Sequence, residues 1–125
     1  MNIPEELLYT EEHEWVSFED DVATIGITDY AQSELGDIVF LELPSVGDAV
    51  TKGESFGTIE AVKAVSDLFA PVSGEVIEVN ENLSDNPEII NESPYKEGWM
   101  IRIRITDETE REMLLNAEAY KDIIG

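Results

Sequence analysis

Few side chains in this sequence are equipped for covalent chemistry. It contains no cysteine and a single histidine, His13, which removes thiolate nucleophiles, disulfides and zinc-thiolate centres. One imidazole is left for proton transfer, where most acid–base and nucleophilic sites need more. A hydrolytic triad built on His13 would want a nucleophile elbow, and no Gly-x-Ser-x-Gly run occurs. A structural histidine is the simpler reading. The acids are scattered, with pairs at Glu5-Glu6, Glu11-Glu12 and Asp20-Asp21, and no Asp-x-Asp-x-Asp-Gly loop gathers them around calcium. One lysine stands out by its setting. Lys63 lies in Glu60-Ala61-Val62-Lys63-Ala64-Val65, midway between two similar turn–strand–turn units, Val46 to Gly53 and Ala70 to Val76. An isolated lysine is ordinarily plain surface; this placement is what lifts it above that.

Two half-units meeting at one residue imply a hairpin with Lys63 at or beside its tip. In that reading Val62 faces Ala64, Ala61 faces Val65 and Glu60 faces Ser66. Local rules argue the other way. Tight hairpins favour Asn-Gly or Asp-Gly because their central residues take positive φ, and this stretch has neither. On propensity alone it is helix or one continuous strand. If it turns, the strain of turning without those residues marks a functional position.

The rest of the chain reads as short strands between turn signals, the pattern of an all-β sandwich or barrel. Strands are expected over Glu14–Phe18, Val22–Ile27, Asp37–Leu43, Phe56–Val62, Val65–Ala70 and Gly74–Asn80, the last bending near Glu78. In Trp99 to Ile105 the residues Trp99, Ile101, Ile103 and Ile105 should point inward, with Arg102 and Arg104 outward. Thr28 to Leu35 reads as a helix closed by Gly36. A second helix should start at Asp107 and run over 107–122, with Met113, Leu114, Ala117, Tyr120 and Ile124 as its apolar stripe. Asn80 to Lys96, rich in Asn, Ser and Pro, reads as loop. No linker interrupts the 125 residues, so 1–125 is expected to be one domain.

The net charge of −22 excludes nucleic acid as a ligand by repulsion from phosphates. Solubility explains such acidity, and so does steering towards basic patches on larger partners; charge alone does not separate the two. No stretch approaches a membrane span, and the opening MNIPEELLYTEEHEW has neither the basic start nor the apolar run of a targeting segment. A cytoplasmic protein is expected, or one of the mitochondrial matrix if the chain is a processed organellar form.

Glu60-Ala61-Val62-Lys63-Ala64-Val65-Ser66-Asp67, followed by Ala70-Pro71-Val72-Ser73-Gly74-Glu75-Val76, closely resembles the lipoylation segment of glycine cleavage system H proteins. The resemblance runs through nearly the whole chain. Tyr9 and His13-Glu14-Trp15 match the family's opening. Gly26 to Gln32 and Leu35 to Phe40 match its first helix and following strand, and Leu43 to Gly47 follows in register. Asn91, Pro94-Tyr95 and Gly98-Trp99 match a late signature. The family implies a mostly β sandwiched barrel of the lipoyl/biotinyl type, with lipoate in amide linkage to Lys63. It also implies a non-catalytic shuttle. A pyridoxal-phosphate glycine decarboxylase loads an aminomethyl group, an aminomethyltransferase passes the one-carbon unit to tetrahydrofolate, and a dihydrolipoyl dehydrogenase reoxidises the dithiol. A lipoyl or octanoyl transferase or ligase must attach the arm.

That implied chemistry suits a chain without cysteine, because the cofactor brings the sulfurs. Its five-membered disulfide ring cannot reach the preferred dihedral and opens readily. Small flanks at Ala61 and Ala64 would let a ligase close over the lysine. A carboxylate could hold the ammonium of the loaded arm away from water. Glu14 and Asp67 are the candidates, although any one of 29 acids is ordinarily solvated surface. A biotinyl carrier would flank its lysine with methionines, and a 2-oxoacid dehydrogenase lipoyl domain would be shorter and part of a larger chain. An H-like protein that relays lipoate to other enzymes would share the same motifs around Lys63. A shuttle that offers one arm to several large sites is expected to be a monomer.

Overall fold

The computed structural model describes residues 2–125. Strand β1 (Leu8–Tyr9) pairs with β2 (Glu14–Glu19), and β2 with β3 (Val22–Ile27), all antiparallel. The charged turn between β2 and β3 closes at Glu19 opposite Val22, with Asp20 at φ 56°, a conformation that short polar side chains tolerate. Helix α1 (Asp29–Leu35) follows, capped by Thr28, whose hydroxyl accepts the Ala31 N–H at 3.1 Å. Gly36 ends it at φ 83°, where a Cβ would be strained. This is the helix expected from Thr28 to Leu35.

Six more strands complete two antiparallel sheets: β4 (Ile38–Glu42), β5 (Ala49–Val50), β6 (Ser55–Ala61), β7 (Val65–Phe69), β8 (Gly74–Val79) and β9 (Ile101–Ile105). The larger sheet has the order β1-β2-β3-β9-β8-β5 and the smaller β4-β6-β7. Inward-facing residues of both sheets, among them Ile25, Ile59, Val76, Ile101 and Ile103, form one buried cluster. Truncating a side chain such as Ile103 to Ala should cost about 2–5 kcal/mol. A second cluster gathers Leu7, Tyr9, Trp15, Ala117 and Tyr120, with the Tyr9 and Tyr120 rings stacked at 4.7 Å.

The half-units either side of Lys63 pair with each other. Ala49 and Val50 stand opposite Glu75 and Gly74, while the N–H groups of Gly47 and Gly53 donate to Val76 and Ala70. The register of β8 shifts between Val76 and Glu78, a bulge that supplies the expected bend.

Three expectations are corrected. Asn80 to Lys96 is not plain loop: it contains the single-turn helices α2 (Asn82–Asp85) and α3 (Ile89–Glu92), which bury Leu83 and Ile90. One or two apolar residues in a single turn were too few to register as a period. The helix expected over 107–122 is broken. A 3₁₀ helix (Glu108–Met113) and α4 (Ala117–Ile124) flank Leu115, whose N–H and C=O both pair with Tyr9 at 2.8 Å. That bridge pulls the chain extended, Asn116 recaps α4, and Met113 is left exposed. Trp99 lies outside β9 and is only partly buried, with the Arg102 guanidinium 4.0 Å from its ring centre; Met100 takes the buried place instead. Ile101, Ile103 and Ile105 are buried as expected.

Candidate functional site

Lys63 sits on the hairpin joining β6 to β7, with Val62, Lys63 and Ala64 all exposed. The register differs by one residue from that expected. Glu60 is opposite Val65, and the Ala61 N–H donates to the Ala64 carbonyl at 2.7 Å, so the tip is Val62-Lys63. No positive φ is used, since His13 and Asp20 are the only non-glycine residues of that kind among the described residues. The expected strain is therefore absent. External support replaces turn chemistry: the Val62 N–H donates to the Asp37 carbonyl at 3.0 Å, pinning the tip to the chain between α1 and β4.

That support is itself fastened by Asn91, on α3. Its amide Nδ2 donates to the Gly36 carbonyl at 2.8 Å and to Gln32 Oε1 at 3.0 Å, and its Oδ1 accepts the Ile38 N–H at 2.9 Å. The stem of Lys63 lies over Gly36, where an added Cβ would come within 3.0 Å of Lys63 Cε. Asn91 appeared in the sequence as part of a motif, but its work depends on three partners far away along the chain.

Glu14 is buried, with 2 % of its surface exposed. Its Oε1 accepts the Thr10 hydroxyl at 2.6 Å, and its Oε2 accepts the Phe69 N–H, near the end of β7, at 3.2 Å. Burial outweighs both hydrogen bonds and pushes its carboxyl up to about 8. Glu14 is thus not the solvated acid that composition alone suggests. Asp67 is exposed on β7, opposite Thr58. Glu14, on β2, reaches β7 through Phe69, two residues beyond Asp67, and no hydrogen bond joins Glu14 to Asp67. Thr10, the residue holding Glu14, was missed; its spacing of four from Glu14 across a turn was the available signal.

Much of the remaining matched sequence is structural. Trp15 Nε1 donates to the Pro94 carbonyl at 2.9 Å, and Tyr95 OH accepts the Asp29 N–H at 2.9 Å. His13 Nδ1 lies 2.9 Å from Tyr120 OH, which lies 2.7 Å from Thr28 Oγ1. Burial lowers the His13 pKa. No group of three or more His, Asp or Glu among the described residues is arranged to hold a metal ion.

A family model described as glycine cleavage H-protein matches residues 7–125. The glycine cleavage system H protein of Staphylococcus carnosus (strain TM300) is 57% identical over 125 residues, covering 100% of this chain and 99% of that protein. Its counterpart in Staphylococcus epidermidis (strain RP62A) is 55% identical over the same length. The crystal structure of a glycine cleavage system H protein from Mycobacterium marinum superposes with a TM-score of 0.88 at 41% identity, covering 96% of this chain and 97% of that one. The two sheets are accordingly those of a lipoyl-type barrel-sandwich. With the matched segment carried on an exposed hairpin, the chain belongs to the glycine cleavage H-protein family, the lipoyl-carrying shuttles of the glycine cleavage system.

Proposed function

We propose that the chain is a single-domain, non-catalytic carrier with lipoate held in amide linkage to Lys63. A lipoyl or octanoyl transferase or ligase attaches the group. The carrier then visits glycine decarboxylase, aminomethyltransferase and dihydrolipoyl dehydrogenase in turn. The observation that carries this reading is the exposure of Lys63 at a hairpin tip pinned from outside through Val62 and Asp37. An exposed primary amine on a fixed turn fits an amide-linked group, and the bare Gly36 leaves room beside its stem. When bound, lipoate supplies a strained disulfide that takes up an aminomethyl group and electrons.

The chain's own residues do the rest. The hairpin presents Lys63 at an exposed tip, and its long stem gives reach without moving the fold. Glu14 and Asp67 are the carboxylates we assign to holding the ammonium of the cargo. A monomer suits serial visits to large partners. The cytoplasm suits a chain whose relatives of this identity are bacterial, and no helix among the described residues is long and apolar enough to cross a membrane.

Peptide mass spectrometry of protein purified from a lipoate-replete host tests the attachment. A lipoyl amide should appear on Lys63, and Lys63→Arg should abolish it. Modification of Lys52 with Lys63 left bare would overturn the assignment.

A further inference from the structure

Seven large apolar side chains are exposed among the described residues, and four of them, Val39, Phe40, Val62 and Val65, surround the Lys63 turn. In a protein of net charge −22 this concentration needs a cause. Val62 and Val65 are exposed because the hairpin projects. Val39 and Phe40 are exposed for a different reason. The register of β4 against β6 shifts between Ile38 and Phe40, while Ile38 and Leu41 are both buried. An ordinary pleat would turn one of the two intervening residues inward; the bulge turns both outward.

Phe40 lies opposite Glu60, and Glu60 opposite Val65. With strands about 4.8 Å apart, this row is about 10 Å wide across the outer face of the small sheet. The next row away from the tip is Glu42, Thr58 and Asp67. The tip-end row therefore carries apolar side chains at both edges with Glu60 between them, and the row behind it is acidic at both edges.

We propose that this patch is the docking surface of the enzyme that acylates Lys63, an inference that rests on Lys63 being the attachment point. Reach selects this partner over the others. The five bonds from Lys63 Cα to Nζ span about 6 Å. An enzyme that forms the amide must bring its reacting carbonyl within that distance, and so must sit on the residues around the turn. An enzyme acting at the far end of the finished arm stands off by roughly twice as much. The apolar character fits the same partner. A medium-chain acyl donor needs an apolar channel, and the channel has to open where the amine enters. In the step itself the deprotonated Nζ attacks the carbonyl carbon of an activated acyl donor, a thioester or acyl adenylate. The C–N bond forms, the bond to the leaving thiolate or adenylate breaks, and the amine's surplus proton departs.

The test uses apo protein from a lipoate-deficient host, a lipoate–protein ligase, lipoate and ATP. Val39→Ser and Phe40→Ser together should raise the KM for apo protein about tenfold, as loss of central apolar contacts does, with kcat within about twofold. Direct titration of ligase with the apo variant should show the same weakening. Met113→Ser, an equally exposed apolar residue elsewhere, should change neither. Both partners of the double substitution are half-exposed, so folding should survive; if its melting temperature drops, Val65→Thr tests the same surface with the β-branch kept. An unchanged KM overturns the proposal, as does an equal rise from Met113→Ser. So does an equal slowing when the arm, once attached and reduced to the dithiol, is reoxidised by dihydrolipoyl dehydrogenase, or a change in oligomeric state that assigns the patch to a second copy. Failure of the wild-type protein to accept lipoate at all would instead strike the carrier reading.

Discussion

Asn91 donates to the carbonyl of Gly36 across 55 residues of sequence, at 2.8 Å, and through that contact fixes the ground on which the Lys63 turn rests. The same side chain accepts the Ile38 N–H, so the chain from Gly36 to Ile38 is held at both ends while Asp37 between them receives the Val62 N–H. Removing the side chain leaves a donor and acceptors without partners, at about 1–3 kcal/mol. Asn91→Ala should lower stability by that order in urea titration. It should also raise hydrogen exchange at the Val62 amide more than at Ile59 in mid-strand. Uniform exchange across the hairpin would mean the turn stands without this support.

Glu14 makes a pH prediction whose sign is fixed by burial. Its carboxyl is raised from 4.5 to about 8, first by desolvation and against the Thr10 and Phe69 hydrogen bonds. The folded state thus binds this proton more tightly than the unfolded chain. Its stabilising contribution is full below about 4.5 and is lost as pH rises through about 8. Carboxylate repulsion in so acidic a protein has the same sign, so the difference between wild type and Glu14→Gln is the quantity to read. Denaturation midpoints should show wild type losing ground to the variant between those two values, by on the order of a kcal/mol or more. Parallel curves would place the Glu14 carboxyl at its ordinary pKa.

The acidity bears on encounter rates. If the 29 acids against 7 bases steer the carrier to basic surfaces, association with glycine decarboxylase should slow several-fold between low and physiological salt. The dissociation rate should change less. Indifference of the association rate to salt would leave solubility as the role of the charge.

The β-framework was legible because its signals are local. Alternation in Ile101, Ile103 and Ile105, the Thr28 cap and the Gly36 stop each lie within one element, and each holds in the structure. Lys63 was legible as the meeting point of two half-units, and those units do pair. The turn itself was not, because its stability comes from Asp37 and Asn91 rather than from turn residues. The break at Leu115 follows from a bridge to Tyr9, more than 100 residues away, which no window on the C-terminus contains. Glu14 was chosen from a motif, but its burial depends on Thr10 and on the edge of β7.

The burial of Glu14 and the exposure of Asp67 give the two carboxylates different predicted parts in guarding the cargo. Asp67 is four residues beyond Lys63, past the turn and on β7, at most about 13 Å of chain away, and its carboxylate makes no hydrogen bond among the described residues. It is exposed and open to an ammonium. Both oxygens of Glu14 are already engaged, and burial keeps the group largely protonated until pH nears 8. It holds a cation well only when ionised. A charge-assisted contact of this kind is worth about 1.5–3 kcal/mol, or roughly ten- to hundredfold in occupancy of the docked arm. The quantity to follow is the decay of purified, aminomethyl-loaded protein without its partners. At pH 7 Asp67→Asn should speed that decay several-fold and Glu14→Gln less. Above pH 8 the effect of Glu14→Gln should grow, because the wild-type carboxylate it replaces is then charged. Lipoylation should be intact in both variants, which separates loss of the ammonium contact from loss of the arm. If both decay at the wild-type rate on either side of pH 8, neither carboxylate holds the ammonium, and Glu14 is retained for its place between Thr10 and Phe69.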